Sequence, residues 1–265
     1  MTSVDDSPVP SYPDLLRLDG RGVVVVGAGN GIGRQTAHAL ASVGAKVFCI
    51  DNQEGLAKEI AEEVGGIAWT TDARDRDDVE RAVTEARAAL GRIDAVVDIV
   101  GMARYVDSLE TSDDDWEWTY GMVLRHAVLF SQAAGRAMAE DGGGAMVFVA
   151  SISGITAAPR HAFYGAAKAA LISWVRSLGV ELGPSNIRVN AVAPGVVWTP
   201  RVQAMIGDRG RELQSKQVPL GRVAETSEVA GAILFLVSDL ASHVTGQTLV
   251  VDGGATAKFP FALSV

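Results

Sequence analysis

Four consecutive valines, Val23 to Val26, run straight into Gly27-Ala28-Gly29-Asn30-Gly31-Ile32-Gly33 and then into a segment of helical period. A continuous β-branched run is what a strand buried on both faces requires. The glycines let the backbone turn sharply and approach a ligand closely. A helix opening there presents free N–H groups and the positive end of its dipole. Placed between a strand and a helix, the loop Gly27, Asn30, Gly31, Ile32, Gly33 predicts a pyrophosphate site at the start of a β-α-β unit.

The same alternation continues along the chain. Strand-like runs fall at 22–27, 46–50, 67–70, 94–99, 145–150, 186–193 and 247–251. Helical patterns lie between them at about 31–43, 54–63, 76–90, 114–138, 162–183 and 226–237. Gly44, Gly91 and Gly183 stand where helix C-caps are expected. Repeated β-α units imply an α/β fold, a doubly wound parallel seven-stranded sheet with helices on both faces. No composition break follows residue 20, so 1–20 reads as a loosely held arm and 21–265 as a single domain. Residues 195–225 show no clear strand, and about 197–220, with Trp198 and Met205 among charged residues, reads as a mobile lid.

The formal charge of −9 makes nucleic acid and anionic membranes poor partners. Cys49 is the sole cysteine, so no intramolecular disulfide forms, and its apolar setting predicts a buried, inert thiol. Met1 to Pro13 is polar, with three prolines and no secretory apolar core, and no apolar run is long enough to span a membrane. The expectation is a cytoplasmic protein that takes a small-molecule substrate and holds no metal.

Chemistry concentrates at two further places. Asp51 ends the second strand, 18 residues after Gly33, where a carboxylate can accept from both hydroxyls of an adenosine ribose and repel a 2′-phosphate. Asn52 follows it, offering no cation to such a phosphate, and Arg34 falls inside the next helix, where a solvated side chain is expected. This favours NAD over NADP. Tyr164 and Lys168 stand at i and i+4, on one helix face, and Ser151 lies just beyond the strand that ends near Ala150. The C-terminal ends of parallel strands are where ligands meet such sheets.

With these residues in hand, residues 20–255 resemble the short-chain dehydrogenase/reductase family in its ordinary single-domain branch, which has a Rossmann-type fold. The resemblance rests on the glycine loop, Asp51, Asp72, Ser151, Tyr164, Lys168, the segment Asn190 to Pro200, and Val251-Asp252-Gly253-Gly254. It implies Tyr164 as general acid and base, and Ser151 as donor to the substrate oxygen. Lys168 would hold the nicotinamide ribose and, with the positive nicotinamide ring, stabilise a phenolate. Asp72 would contact the adenine, and Gly101 would line the cofactor site. Pro194, Gly195, Val197 and Thr199 would hold the carboxamide end. A homotetramer is also implied.

The chain departs from the family at two positions. Asp98-Ile99-Val100-Gly101 replaces the usual Asn-Asn-Ala-Gly, and Val123 stands where the family has an asparagine. A carboxylate near the end of a central strand needs a partner. Helical geometry turns His126 inward with Val123 and Arg125 outward, so an Asp98–His126 pair is predicted, with His126 as a possible proton path from Lys168. The reading is an NAD-dependent oxidoreductase interconverting a secondary alcohol and a ketone. Met102, Tyr105, Ser153, His161, Trp198 and Met205 would form a largely apolar pocket, which points to a hydrophobic or alicyclic substrate. Two alternatives stand beside it: an NADPH-dependent 3-oxoacyl-thioester reductase, against which Asp51 speaks, and an NAD-binding regulatory protein without turnover.

Overall fold

The computed structural model describes residues 6–258. Its strands are β1 Gly22–Val26, β2 Lys46–Asp51, β3 Ile67–Thr70, β4 Ala95–Asp98, β5 Gly144–Val149, β6 Ile187–Pro194 and β7 Thr248–Val251. The helices are α1 Tyr12–Leu16, α2 Ile32–Ser42, α3 Glu54–Val64, α4 Arg76–Leu90, α5 Asp113–Tyr120, α6 His126–Glu140, α7 Ala162–Glu181, α8 Pro200–Ser215 and α9 Thr226–Val237. The strands form one parallel sheet in the order β3-β2-β1-β4-β5-β6-β7, the doubly wound arrangement expected.

The valine run shows why both faces of the sheet are covered. Val23 and Val25 join the core that contains Leu40 of α2, Ile60 of α3 and Ile233 of α9. Val24 and Val26 join the opposite core, with Val83 of α4, Phe130 of α6 and Val175 of α7. Successive side chains of a strand point to opposite faces, so an unbroken apolar run is stable only between two helical layers. From β1 the chain winds outward to β3, then crosses back to β4 on the other side of β1. The loops leaving β1 and β4 therefore diverge, and a crevice opens at the carboxyl ends of these two strands.

Three segments differ from the sequence reading. The helix expected over 114–138 is split by a π-helical turn, Gly121–Arg125, between α5 and α6. Such a turn inserts a residue into the helical ladder and is frequent at functional sites. The strandless stretch after 195 contains α8, interrupted at Gly207 (φ 58°, ψ −174°), a conformation that glycine adopts without strain. α8 starts on a side-chain cap, Thr199 Oγ1 accepting from Val202 N–H at 3.2 Å, with Pro200 in its first turn. Periodicity missed α8 because its apolar residues are few and none is buried. The arm is also tied down before residue 20. Leu18 is fully buried, its N–H donates to Val43 O at 2.8 Å, and Gly20 N–H donates to Gly44 O at 3.0 Å. No helix among the described residues is long and apolar enough to cross a membrane.

Candidate active site

The glycine loop sits at the crevice. Gly27 (φ 82°) and Gly31 (φ 60°) adopt left-handed conformations that side chains rarely tolerate. Gly27 and Ala28 N–H both donate to Ile50 O at 2.9 Å, which pins the loop to β2. At Gly33 the requirement is steric: a Cβ there would stand 1.9 Å from Gly27 O. Gly33→Ala is expected to cost about 3 kcal/mol of stability through this overpacking, read as a lower denaturant midpoint at unchanged m-value.

Asp51 is held beside this loop. Its Oδ2 accepts from Gly29 N–H and its Oδ1 from Gln53 N–H, both at 3.0 Å. The carboxylate is thus fixed in place, with lone pairs remaining on each oxygen for further donors. Arg34, expected to be solvated, is paired with Glu63 at 2.8 Å, and His38 shares that carboxylate at 2.8 Å. Asp72 is engaged by Arg74, whose Nε and terminal nitrogen donate to it at 2.9 and 2.7 Å and hold its carboxyl below the usual range.

The segment leaving β6 closes the same crevice. A Cβ on Gly31 would lie 3.4 Å from Thr199 Cγ2, so the glycine loop and the N-terminus of α8 are in contact. Pro194 ends β6 and Gly195 packs on Asp252, whose carboxylate accepts from Gly254 and Thr256 N–H at 2.8 and 2.7 Å. Val197 pairs with Ala224 in an isolated parallel bridge. A loop turning through two positive-φ glycines, a fixed carboxylate on one flank and Thr199 on the other together fit a dinucleotide.

Ser151, Tyr164 and Lys168 converge next to it. Ser151 Oγ accepts from Ser153 N–H at 3.1 Å, and the serine hydroxyl acts on Tyr164 so as to favour its phenolate. Gly154 and Gly165 bring these elements together. A Cβ on Gly154 would stand 2.7 Å from the Lys168 carbonyl carbon, and one on Gly165 2.8 Å from Ser153 O. The signal available for Gly165 was its place inside Tyr164-Gly165-Ala166-Ala167-Lys168, a run of small residues between two functional ones.

Burial pushes the Tyr164 phenol up to about 12, the bond to Ser151 pulls it down, and nearby Tyr105 raises it further. Burial likewise pulls the Lys168 ammonium down to about 8, opposed by the charge of Asp98. Lys168 Nζ donates to Val149 O at 2.6 Å and lies 5.8 Å from the centre of the Tyr164 ring. A methyl on Gly101 would stand 3.0 Å from this nitrogen, which is why the loop after β4 can pass over it. The expected pair is present: His126 Nδ1 lies 2.7 Å from Asp98 Oδ2, and both side chains are buried. Val123 is buried within the π-helical turn, while Arg125 points outward and donates to Arg74 O at 2.8 Å.

The outer wall is aromatic. Tyr105 meets His161 edge-on with centres 4.8 Å apart, and His161 lies 6.2 Å from the Tyr164 ring. His161 Nδ1 donates to Pro159 O at 3.0 Å, leaving Nε2 free to face a ligand. Trp116 meets Phe163 at 5.0 Å, and Arg211 of α8 stacks over Trp198 at 4.6 Å. Met102 and Ser153 are half-buried, whereas Met205 is exposed on α8.

A family model described as enoyl-(acyl carrier protein) reductase matches residues 27–256. D-threitol dehydrogenase of Mycolicibacterium smegmatis is 39% identical, over 92% of this chain and 95% of its own length. Galactitol 2-dehydrogenase of Cereibacter sphaeroides is also 39% identical, over 92% and 98%. A short-chain type dehydrogenase/reductase from Mycobacterium marinum superposes with a TM-score of 0.89 at 30% identity, covering 94% of this chain and 100% of that one. The chain belongs to the short-chain dehydrogenase/reductase family. As a member it is an NAD(P)-dependent oxidoreductase acting on CH–OH groups. A 7α-hydroxysteroid dehydrogenase of the same fold, solved with NADH and 7-oxo glycochenodeoxycholic acid, has a TM-score of 0.88 at 30% identity over 92% and 98%. Against the family pattern, the departures at Asp98 and Val123 are both buried, with His126 meeting the first of them.

Proposed function

We propose that the protein is an NAD-dependent dehydrogenase interconverting a secondary alcohol and its ketone, with a hydrophobic or alicyclic substrate. The observation that carries this reading is the convergence of Ser151, Tyr164 and Lys168 at the edge of a glycine cradle flanked by Asp51. When bound, the nicotinamide supplies the hydride acceptor or donor. Ser151 donates a hydrogen bond to the reacting oxygen. Tyr164 takes the hydroxyl proton in oxidation and returns it in reduction. Lys168, kept as an ammonium, favours the phenolate and holds the ribose hydroxyls. Gly27, Asn30, Gly31, Ile32 and Gly33 hold the pyrophosphate, and Asp72 and Gly101 the adenine and nicotinamide sides. Pro194, Gly195, Val197 and Thr199 hold the carboxamide.

NAD is preferred because Asp51 faces the position of a 2′-phosphate and Arg34 is already paired with Glu63. The aromatic surfaces of Tyr105, His161 and Trp198 support an alicyclic substrate that stacks on them. A second reading, a polyol substrate, is favoured by the relatives named for threitol, glycerol and galactitol. The protein is proposed to act in the cytoplasm as a homotetramer, supported by family membership and by the exposed Leu249 and Val250 on edge strand β7. The test is a screen of cyclic secondary alcohols, hydroxysteroids, four- to six-carbon polyols and 3-hydroxyacyl thioesters with NAD and NADP. NAD-linked turnover of the cyclic compounds is expected. Turnover of polyols alone selects the second reading, and no turnover of any alcohol refutes both.

A further inference from the structure

Among the described residues, the charged or titratable side chains counted as buried with polar character are Asp98, His126, Lys168 and Asp252. Asp252 is held by backbone N–H groups at the end of β7. The other three lie behind the site: Asp98 is in register with Phe148 on β5, and the carbonyl of the next residue, Val149, accepts from Lys168 Nζ at 2.6 Å. Asp98 Oδ2 accepts from His126 Nδ1–H at 2.7 Å, and Oδ1 accepts from Val100 N–H at 3.1 Å. The chain then runs over the ammonium of Lys168 at Gly101. His126 Nε2 is buried and has no hydrogen-bond partner among the described residues, so only one edge of this imidazole is used.

A neutral amide at 98 would still meet both neighbours, its oxygen accepting from Val100 N–H and its –NH2 donating to His126 Nδ1 in the other tautomer, without the several kcal/mol needed to desolvate a carboxylate. The charge therefore needs another reason, and Lys168 is the buried cation it acts on. The other ionisable groups nearby are engaged elsewhere or are neutral. Tyr164 shares the helix of Lys168, its ring centre 5.8 Å from Nζ, and is neutral. On α5, Asp115 is bonded to Ser112 and Arg104. Arg125 of the π-helical turn donates to Arg74 O, and Arg188 of β6 donates to the carbonyls of Leu236 and Val237 at the end of α9. On α4, Arg87 pairs with Glu140 and Asp141 at the outer face.

We propose that Asp98, held in place by His126, is a positioning residue for Lys168: its carboxylate supplies the negative charge that keeps this lysine an ammonium in a desolvated pocket. The opposing effects on Lys168, burial lowering and Asp98 raising its proton affinity, agree with that geometry. In this arrangement His126 fixes the carboxylate and carries no proton to solvent. The inference rests on the reading above in one respect, that Lys168 must be protonated for Tyr164 to act.

The test uses the full-length protein and its variants Asp98→Asn, His126→Asn and His126→Leu. Lysine labelled with ¹³C at Cε is followed by NMR against pH in cofactor-free protein, with the Lys168 resonance assigned from Lys168→Met. Asp98→Asn removes the charge and keeps the shape, so Lys168 is expected to lose its proton at a pH lower by about half a unit or more. His126→Leu leaves the carboxylate without the donor that fixes it and free to turn away from Lys168, and the same shift is expected. In His126→Asn the amide N–H stands where Nδ1–H stands, and the parent titration is expected. Should Asp98→Asn fail to fold, His126→Leu carries the test. The alkaline limb of kcat, set by loss of the ammonium, is expected to move with the NMR titration. A Lys168 titration unmoved in Asp98→Asn, or in His126→Leu where that variant carries the test, overturns the proposal. An unmoved titration in His126→Leu beside a shifted Asp98→Asn overturns the role of His126. If the titration moves while the alkaline limb stays, the charge coupling stands and the catalytic reading of Lys168 falls.

Discussion

Tyr164→Phe is expected to lower kcat about 10³-fold while NADH binds with an unchanged Kd. The phenyl ring keeps the contacts with His161 and Lys168, and only the hydroxyl is lost, so the effect measures acid–base catalysis. Desolvation pushes the half-buried phenol up to about 12, so in the cofactor-free protein it is protonated at neutral pH. Its use as a base depends on charge brought near it, and the chain's own source is Lys168, which burial has pulled down to about 8. The two shifts set the pH dependence. With the phenol brought below the lysine by that charge, oxidation gains as pH rises through phenol ionisation and is lost as pH rises further, through the lysine titration. Steady-state kinetics with the best alcohol from the screen, together with NADH fluorescence titration, make the check. Turnover within about tenfold of the parent would remove Tyr164 from its role.

Asp51→Ala is expected to raise the ratio of kcat/KM for NADP over NAD about 100-fold. A carboxylate facing a 2′-phosphate is a like-charge contact worth several kcal/mol, and about 2.7 kcal/mol corresponds to that factor. The geometry sharpens this expectation. Both oxygens of Asp51 are fixed by backbone donors, from Gly29 and Gln53, so the side chain cannot swing aside to admit a phosphate. Arg34 offers no compensation while Glu63 holds it. Affinity for NAD should also fall in Asp51→Ala, because two backbone N–H groups lose their acceptor. Asp51→Asn, which retains an acceptor and loses the charge, should fall between the parent and the alanine variant. Equal preference for the two cofactors in the parent would show that the carboxylate does not set the choice.

Much of this architecture was legible without coordinates, because it is carried by local regularities. The seven strands announce themselves as apolar runs, since a sheet covered on both faces requires apolar side chains at every strand position. The glycine loop, Asp51, and the spacing of Tyr164 and Lys168 are readable because each depends on a few neighbouring residues and one backbone period. Even the meeting of Asp98 with His126, 28 residues apart, followed from a charge that needed a partner and a helix that offered one face. The π-helical turn at Gly121–Arg125 was not foreseen, yet Val123 and His126 both stay inward across it and Arg125 outward.

What the chain could not announce locally is set by how its elements pack. The amphipathic signal of α8 is weak because no residue of it is buried, and its start is fixed by the Thr199 cap. Leu18 reads as part of a polar arm until it is placed against the turn after α2. The need for glycine at 154 and 165 comes from the close approach of the Ser151 turn to α7, a distance between elements that no periodicity encodes. The proton affinities of Tyr164 and Lys168 belong to the tertiary structure in the same way. Residue type sets their ordinary values, and only the packed molecule decides how much water each loses and that a carboxylate from β4 lies near enough to Lys168 to oppose the loss.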